Sequence, residues 1–121
     1  MEQFVKLISH LMHSRTQTHV FHLQTNSYAE HVALGAYYDG IVGLVDGLVE
    51  SYQGKYGILE GYQSYNVIQY SGKATVIGYL KALLSIISST RSAIQDSYIQ
   101  NQIDTVEELV TSTLYKLRFL S

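Results

Sequence analysis

The sequence predicts an all-α fold, a four-helix bundle in which the whole chain, residues 1–121, forms one domain. Apolar residues recur at helical spacing in four segments, proline is absent, and no strand pattern competes with them. A chain of 121 residues is long enough for one hydrophobic core. We therefore expect four helices around a single core, with one longer connection in the middle.

The first two helices are predicted from their apolar faces and from the cap between them. The first covers about Glu2–Gln24, and the second begins at about Tyr28 and runs to Tyr52 or slightly further. Ser27, followed three residues later by Glu30, forms the capping-box pattern that begins a helix. Gly54, Gly57 and Gly61 are expected to end the second helix.

The third and fourth helices are predicted in the same way. The third covers about Lys73–Ala93 and the fourth about Tyr98–Leu120, with Asp96 in the turn before it as a cap. The segment Lys55–Gly72 is a long connection, and Tyr65–Tyr70 within it is apolar enough for a short helix or a packed loop. This connection is the one irregular part of the predicted bundle.

The second helix contains four interior glycines, Gly35, Gly40, Gly43 and Gly47. Each glycine costs about 1 kcal/mol relative to alanine inside a helix, so their number needs a reason. Close packing against a neighbouring helix is one reason, because glycine lets two backbones approach. An interface with a second subunit or with a bound ligand is the other.

Composition excludes several functional classes. The net charge of −2 gives no basic field for nucleic acid, and the absence of cysteine removes disulfides, thiolate metal sites and cysteine nucleophiles. No glycine-rich phosphate loop or serine elbow points to hydrolysis. Met1–Lys6 does not have the character of a signal peptide, and the apolar stretch Gly40–Val49 is too short to cross a membrane. We therefore expect a cytoplasmic protein with no membrane partner.

Histidines and acids are the residues that most suggest chemistry. All five histidines lie in the first 31 residues, and three spaced acids follow: His10, His13, His19, His22, His31, Asp39, Asp46 and Glu50. Imidazoles and carboxylates that converge from neighbouring helices form sites for first-row metals. The sequence therefore raises a metal site as a hypothesis.

Helical geometry divides the histidines into two groups. His22, and with it His19, falls on the apolar face of the first helix, whereas His10 and His13 fall on the other side. We therefore expect His10 and His13 to be ordinary surface residues. His22 and His19 are expected to face the second helix.

The acids of the second helix share one stripe with His31. Asp46 and Glu50 lie one turn apart, and neither has a lysine or arginine three or four residues away. A cation could neutralise this stripe, and so could Arg15 of the first helix, through a structural ion pair. The sequence leaves both interpretations open.

The stretch THVFHLQTNSYAEHVALGAYYDGIVGLVDGLVE, residues 18–50, resembles the ferritin-like superfamily and within it the Dps-type mini-ferritins. That family has a histidine late in the first helix, a second at the start of the next, and then an Asp-x-x-x-Glu pair. The step of fifteen residues from His31 to Asp46, and of four to Glu50, matches the family spacing. His19 has the family's spacing to His31, whereas His22 needs a turn three residues shorter.

The resemblance is incomplete at two positions. The family's middle aspartate falls on Gly35, and Asp39, one turn later, is its substitute. The tryptophan that follows the family's first histidine is replaced by Leu23 after His22. No lysine-rich tail precedes the first helix, so tail-driven DNA binding is not expected.

The resemblance implies a homo-oligomer built from C2 dimers, with a metal site between two subunits. His22 and His31 of one chain would face Asp46 and Glu50 of the other, and iron(II) would be oxidised there by oxygen or peroxide. Histidine and carboxylate also suit manganese and zinc. Whether the chain is an enzyme, a ferroxidase, stays open at this point.

A second resemblance leads to a different functional class. The stretch from His19 through YAEH to YQGKYG is similar to small proteins encoded by tailed phages. The alternative hypothesis is therefore a non-catalytic structural or interaction protein, such as a virion or assembly component, on a ferritin-like bundle with a decayed metal site.

Overall fold

The computed structural model describes all residues, 1–121, and contains four helices and no strands. They are α1 (Glu2–Gln24), α2 (Tyr28–Tyr56), α3 (Lys73–Ala93) and α4 (Ser97–Phe119). The bounds of α1 and α3 are those predicted, while α2 extends one turn past Tyr52. The all-α, four-helix prediction is confirmed.

Each helix packs on two neighbours, in the order α1, α2, α4, α3 around the bundle. α1 and α2 are joined by the short turn 25–27, and α3 and α4 by residues 94–96, so each pair is antiparallel. α2 and α3 lie diagonally opposite, and the crossover segment (residues 57–72) connects them. It runs along α1 from Ser9 to Gln24, so α3 starts at the far end of the bundle and runs parallel to α2.

A single core of 24 buried apolar residues holds the four helices together. Tyr37 of α2 is fully buried, and its hydroxyl lies 2.7 Å from Ser14 Oγ, which in turn donates to the Leu11 carbonyl at 2.6 Å. Since the Ser14 proton is used on Leu11, Tyr37 donates to Ser14. Burial raises the pKa of the Tyr37 hydroxyl, which stays neutral within the core.

Glycines with positive φ mark both ends of the crossover segment. Gly57 has a φ of 94° and ends α2, and Gly72 has a φ of 111° and precedes α3. Side chains other than glycine rarely adopt such values. Between these two points there is no helix, so the predicted alternative of a packed loop is the observed one for Tyr65–Tyr70.

Both predicted helix caps are only partly realised. Ser27 Oγ accepts a hydrogen bond from the Glu30 amide at 3.3 Å, but the Glu30 carboxylate accepts from Thr25 and Tyr70 instead of closing the box. Asp96 is the N-cap residue of α4, yet its carboxylate binds Lys55 and Tyr56 at the end of α2. Both side chains therefore tie separate elements together.

Candidate functional site

His22 of α1 and His31 of α2 form a reciprocal pair. His22 Nδ1 lies 2.5 Å from the His31 carbonyl oxygen, and His31 Nδ1 lies 2.9 Å from the His22 carbonyl oxygen. The two rings stack, with centroids 3.6 Å apart and planes 17° from parallel. We call this arrangement the histidine clasp, because it joins the end of one helix to the beginning of the next.

The clasp forms where the backbone offers an acceptor. The last carbonyls of a helix have no amide partner within it, and the His22 carbonyl lies in the last turn of α1. The turn at residues 25–27 brings the first turn of α2, with His31, back over this carbonyl. His31 Nδ1 therefore supplies the missing donor.

The hydrogen bonds also determine which ring nitrogens are free. A carbonyl oxygen only accepts, so both Nδ1 atoms must carry the proton. In the neutral rings the lone pair then lies on Nε2 of His22 and of His31. A histidine that ligates a metal usually donates its other ring nitrogen to a carbonyl or carboxylate in this way.

Gly35 leaves the space that His22 occupies. A Cβ at this position would lie 3.1 Å from His22 Cε1 and 3.3 Å from His22 Nδ1. The ring therefore sits directly over the α2 backbone, between Gly35 and the stacked ring of His31. The position where the resembling family has an aspartate is used here to admit an imidazole, which favours packing as the reason for this glycine.

His19 lies beside the clasp without joining it. Its ring stacks on Tyr38 of α2, with centroids 4.4 Å apart, and lies 6.0 Å from the ring of His22. Tyr38 also meets His22 edge-on at 5.3 Å. Both predicted histidines of α1 thus face α2, and it is His22 that pairs with His31.

Three of the four acids of α2 are exposed and free of partners, and the exception is the buried Glu30. Asp39, Asp46 and Glu50 form no ion pair, since the two pairs present are Lys55–Asp96 and Arg91–Asp104. Asp46 shares a groove of about 190 Å³ with the exposed Arg15, in which the two side chains do not pair. The ion pair that Arg15 was predicted to form as an alternative is therefore absent.

Within one chain the histidines and the acids lie apart. His31 and Asp46 are fifteen residues apart on one straight helix, about 22 Å at the helical rise. No group of three or more His, Asp or Glu side chains in this chain lies close enough to hold one metal ion. The predicted ligands can therefore converge only between two chains, as the resemblance implies, and that site stays a prediction.

His10 and His13 are not the free surface residues that the sequence predicted. Both are partly buried under Tyr65 of the crossover segment, whose ring stacks on His10 with centroids 4.0 Å apart and planes 12° from parallel. His13 meets Tyr65 edge-on at 5.7 Å and Tyr79 of α3 at 6.3 Å. The helical wheel could not show this, because the covering residue lies far along the chain.

Sequence reasoning also missed the polar side chains that hold the crossover segment. Ser9, Gln17 and Gln24 of α1 all bond to its backbone. Their spacing of eight and seven residues places them on one side of α1. Gln17 is fully buried, but nothing in the sequence distinguishes it from the exposed polar residues of α1.

α2 is long and apolar enough, in length and composition, to cross a membrane. Its most apolar 18-residue window has a mean hydropathy of 1.4, and 33% of that window is buried in the bundle. Core helices of other proteins have the same character, so this observation is weak evidence of a membrane span. Val32 and Val42 are among the apolar residues of α2 that are exposed.

Comparison with known proteins identifies a family but no activity. No curated protein and no solved structure matches the chain significantly. A family model described as a family of unknown function, DUF5856, matches residues 22–117. The match begins at His22 and includes His31, Asp39, Asp46, Glu50 and the whole crossover segment. Since it covers most of the sequence, the chain belongs to the DUF5856 family.

Proposed function

We propose that the protein is a ferritin-like bundle of the Dps type that binds a divalent metal ion between two subunits. Iron is the first candidate, and manganese and zinc suit the same donors. The observation that carries this proposal is the histidine clasp. It leaves Nε2 of His22 and His31 as unprotonated nitrogens on two rings that are already fixed by hydrogen bonds.

The connectivity of the bundle supports the ferritin-like part of the proposal. Ferritin-like folds differ from simple up-down bundles by one long crossover connection. Here residues 57–72 make such a connection between helices that lie diagonally opposite.

The exposed stripe of α2 supports a second copy of the chain as the source of the remaining ligands. Asp46 and Glu50 carry negative charge with no cation paired to them. Only a third of the apolar window of α2 is buried. A C2 dimer through α1 and α2 covers this surface and brings the acids of one chain to the clasp of the other. Asp39 lies between His31 and Asp46 on the same helix, and its carboxylate is a further candidate metal ligand.

In this proposal each group has a stated chemical role. The neutral imidazoles donate nitrogen lone pairs, and the carboxylates balance the charge of the cation. Iron(II) is then the substrate, and oxygen or peroxide is its oxidant. We place this activity in the cytoplasm, of the host if the chain is phage-encoded.

The test separates the role of each histidine in folding from its role as a ligand. His22→Asn and His31→Asn keep a side-chain N–H near the position of Nδ1 but remove Nε2. We expect these variants to keep most of the thermal stability and to lose cobalt(II) or iron(II) binding, measured anaerobically together with native mass. Asp46→Asn with Glu50→Gln should lose metal in the same way, whereas the exposed control Glu108→Gln should not.

Mixing two defective variants tests whether the site lies between subunits. If the His31→Asn chain and the Asp46→Asn/Glu50→Gln chain are refolded together in equal amounts, about half of the dimers are mixed. Each mixed dimer contains one site with all its ligands, so about a quarter of the wild-type binding should return. Full metal binding by either variant alone, or no recovery in the mixture, contradicts a shared site.

A specific observation also favours the alternative, a non-catalytic structural or interaction protein such as a virion or assembly component. Both Nδ1 atoms of the clasp form hydrogen bonds between α1 and α2, which is a structural role. Gly35 lies where the resembling family has an aspartate ligand, and it leaves room for the His22 ring instead. In that case the purified protein forms an oligomer but binds no metal. The mixing experiment then yields oligomers of mixed composition that do not recover metal binding.

A further inference from the structure

The crossover segment is attached to α1 by side-chain hydrogen bonds to its backbone. The Gln17 amide bonds to both polar atoms of Ile68, donating to its carbonyl at 2.8 Å and accepting from its N–H at 2.8 Å. Ser9 Oγ accepts a hydrogen bond from the backbone N–H of Gln63 at 3.0 Å, and Gln24 Oε1 accepts one from the backbone N–H of Tyr70 at 2.7 Å. The segment is thus held at three points along α1.

Two histidines lie under the segment between the first two of these points. The Tyr65 ring covers the face of His10 and the edge of His13. Both histidines are partly buried by this cover. Protonation of either ring would place a positive charge where water has limited access.

The charged groups around the two histidines offer little compensation. On α1, Lys6 lies one turn before His10, and the two histidines face each other's charge. The neutral Tyr79 meets His13 from α3, and the Gln17 side chain lies one turn further along α1. Glu60 of the crossover segment and Glu2 line the groove that holds Lys6, but no carboxylate pairs with either histidine.

These surroundings lower the pKa of both histidines below 6.5. For His10, burial is the largest cause, followed by Lys6 and His13. For His13, burial lowers the pKa, and the nearby side-chain amide of Gln17 partly opposes this shift. A lowered pKa in the folded state means that the attachment is fully present above pH 6.5. It weakens as the pH falls through the two lowered pKa values.

We propose that the part of the crossover segment from Gln63 to Ile68 is an acid-released strap, which lifts from α1 when His10 and His13 are protonated while the four helices stay folded. The core supports a local opening of this kind. Leu59 is the one residue of the crossover segment among the 24 core residues, and it lies outside the released part. Opening would expose His10, His13 and Gln17, a face of α1 that is covered at neutral pH. This inference does not depend on the proposed metal site.

Hydrogen exchange of the full chain, followed by NMR, tests the proposal. After correction for the intrinsic pH dependence of exchange, the opening equilibrium of the Gln63 and Ile68 amides should rise between about pH 7.5 and 5. Each histidine can raise the opening equilibrium constant by up to tenfold for each unit by which its pKa is lowered. The amides of Val106 and Val110, buried in α4, should show no such rise.

Variants identify the groups responsible. His10→Gln with His13→Gln should abolish the pH dependence, whereas His19→Gln, on the same helix but packed on Tyr38, should keep it. Tyr65→Leu, which leaves both histidines in place, should bring their pKa values closer to 6.5 in an imidazole NMR titration. The proposal is overturned if the double variant keeps the pH dependence, or if α4 opens with the same dependence as the strap. Unchanged histidine pKa values in Tyr65→Leu would overturn it too.

Discussion

Gly35→Ala gives the most direct test of the histidine clasp. Alanine in the interior of a helix is favoured over glycine by about 1 kcal/mol, so the substitution would stabilise an open site. Here the new Cβ would lie 3.1 Å from His22 Cε1, closer than ordinary carbon contacts allow. The ring cannot shift freely, because it stacks on the His31 ring with centroids 3.6 Å apart.

The expected magnitude follows from these opposing effects. Displacing the His22 ring weakens its hydrogen bond to the His31 carbonyl, which contributes about 1 kcal/mol, and disturbs the stacking as well. We therefore expect Gly35→Ala either to leave the free energy of unfolding unchanged or to lower it by up to about 1 kcal/mol. Gly78 is a matched control, since it lies inside α3 with nothing within 4 Å of its added Cβ. Gly78→Ala should raise the melting temperature by about 4 °C.

Urea and thermal denaturation of the single variants, followed by a double-mutant cycle with His22→Ala, provide the assay. Once the ring is removed, Gly35→Ala should become as stabilising as Gly78→Ala, giving a coupling energy of about 1–2 kcal/mol. The reasoning is refuted if Gly35→Ala stabilises the wild-type chain as much as Gly78→Ala does. It is also refuted if the cycle shows no coupling, because the close contact between Gly35 and His22 would then have no energetic consequence.

Three further substitutions test buried polar contacts by the same denaturation assays. Ser14→Ala leaves the buried Tyr37 hydroxyl without an acceptor and should cost about 2 kcal/mol, whereas Tyr37→Phe leaves Ser14 bonded to Leu11 and should cost about 1 kcal/mol. An equal cost for the two would contradict the assigned direction of the hydrogen bond. Gln17→Leu removes both bonds to Ile68 and should cost about 1–2 kcal/mol, while the exposed control Gln3→Leu should change little. A Gln17→Leu protein as stable as the control would show that the crossover segment does not depend on this anchor.

The helices were predictable because their causes are local. Helical periodicity of apolar residues defined α1 and α3 to the residue and α4 to within one residue at each end, and α2 runs one turn past Tyr52. Gly54 does not stop that helix, since glycine only weakens one. The helix ends at Gly57, where the backbone turns to a φ of 94°. Nothing in the sequence distinguishes these two glycines before the path of the crossover segment is known.

The path of the crossover segment was not predictable because its causes are long-range. The bonds from Ser9, Gln17 and Gln24 connect residues 54, 51 and 46 positions apart. Pattern analysis treats polar side chains on a helix as solvated, and it cannot identify which of them will bind a distant backbone. The same limit explains why His10 and His13 were assigned to the surface, since Tyr65 lies more than fifty residues further along.

The candidate site was predicted as residue types but not as an arrangement. The sequence placed both His22 and His19 on the side of α1 that faces α2, and the family spacing to His31 fitted His19 rather than His22. It could not reveal that each ring binds the other residue's carbonyl. That detail depends on the angle at which α2 leaves the turn and on the space at Gly35.

Three interior glycines of α2 differ in what surrounds them, and the surroundings of the third bear on the proposed function. Gly35 admits the His22 ring, and Gly40 faces Leu109 of α4, whose nearest atom would lie 3.4 Å from an added Cβ. Gly43 is exposed, with nothing within 4 Å, so no contact in this chain explains a residue that costs about 1 kcal/mol in a helix. It lies on the outward side of α2 between Asp39 and Asp46, where the proposed second chain would pack. In the dimer proposed above, a close approach of two α2 helices at this point would account for the glycine and for the unpaired acids on either side of it.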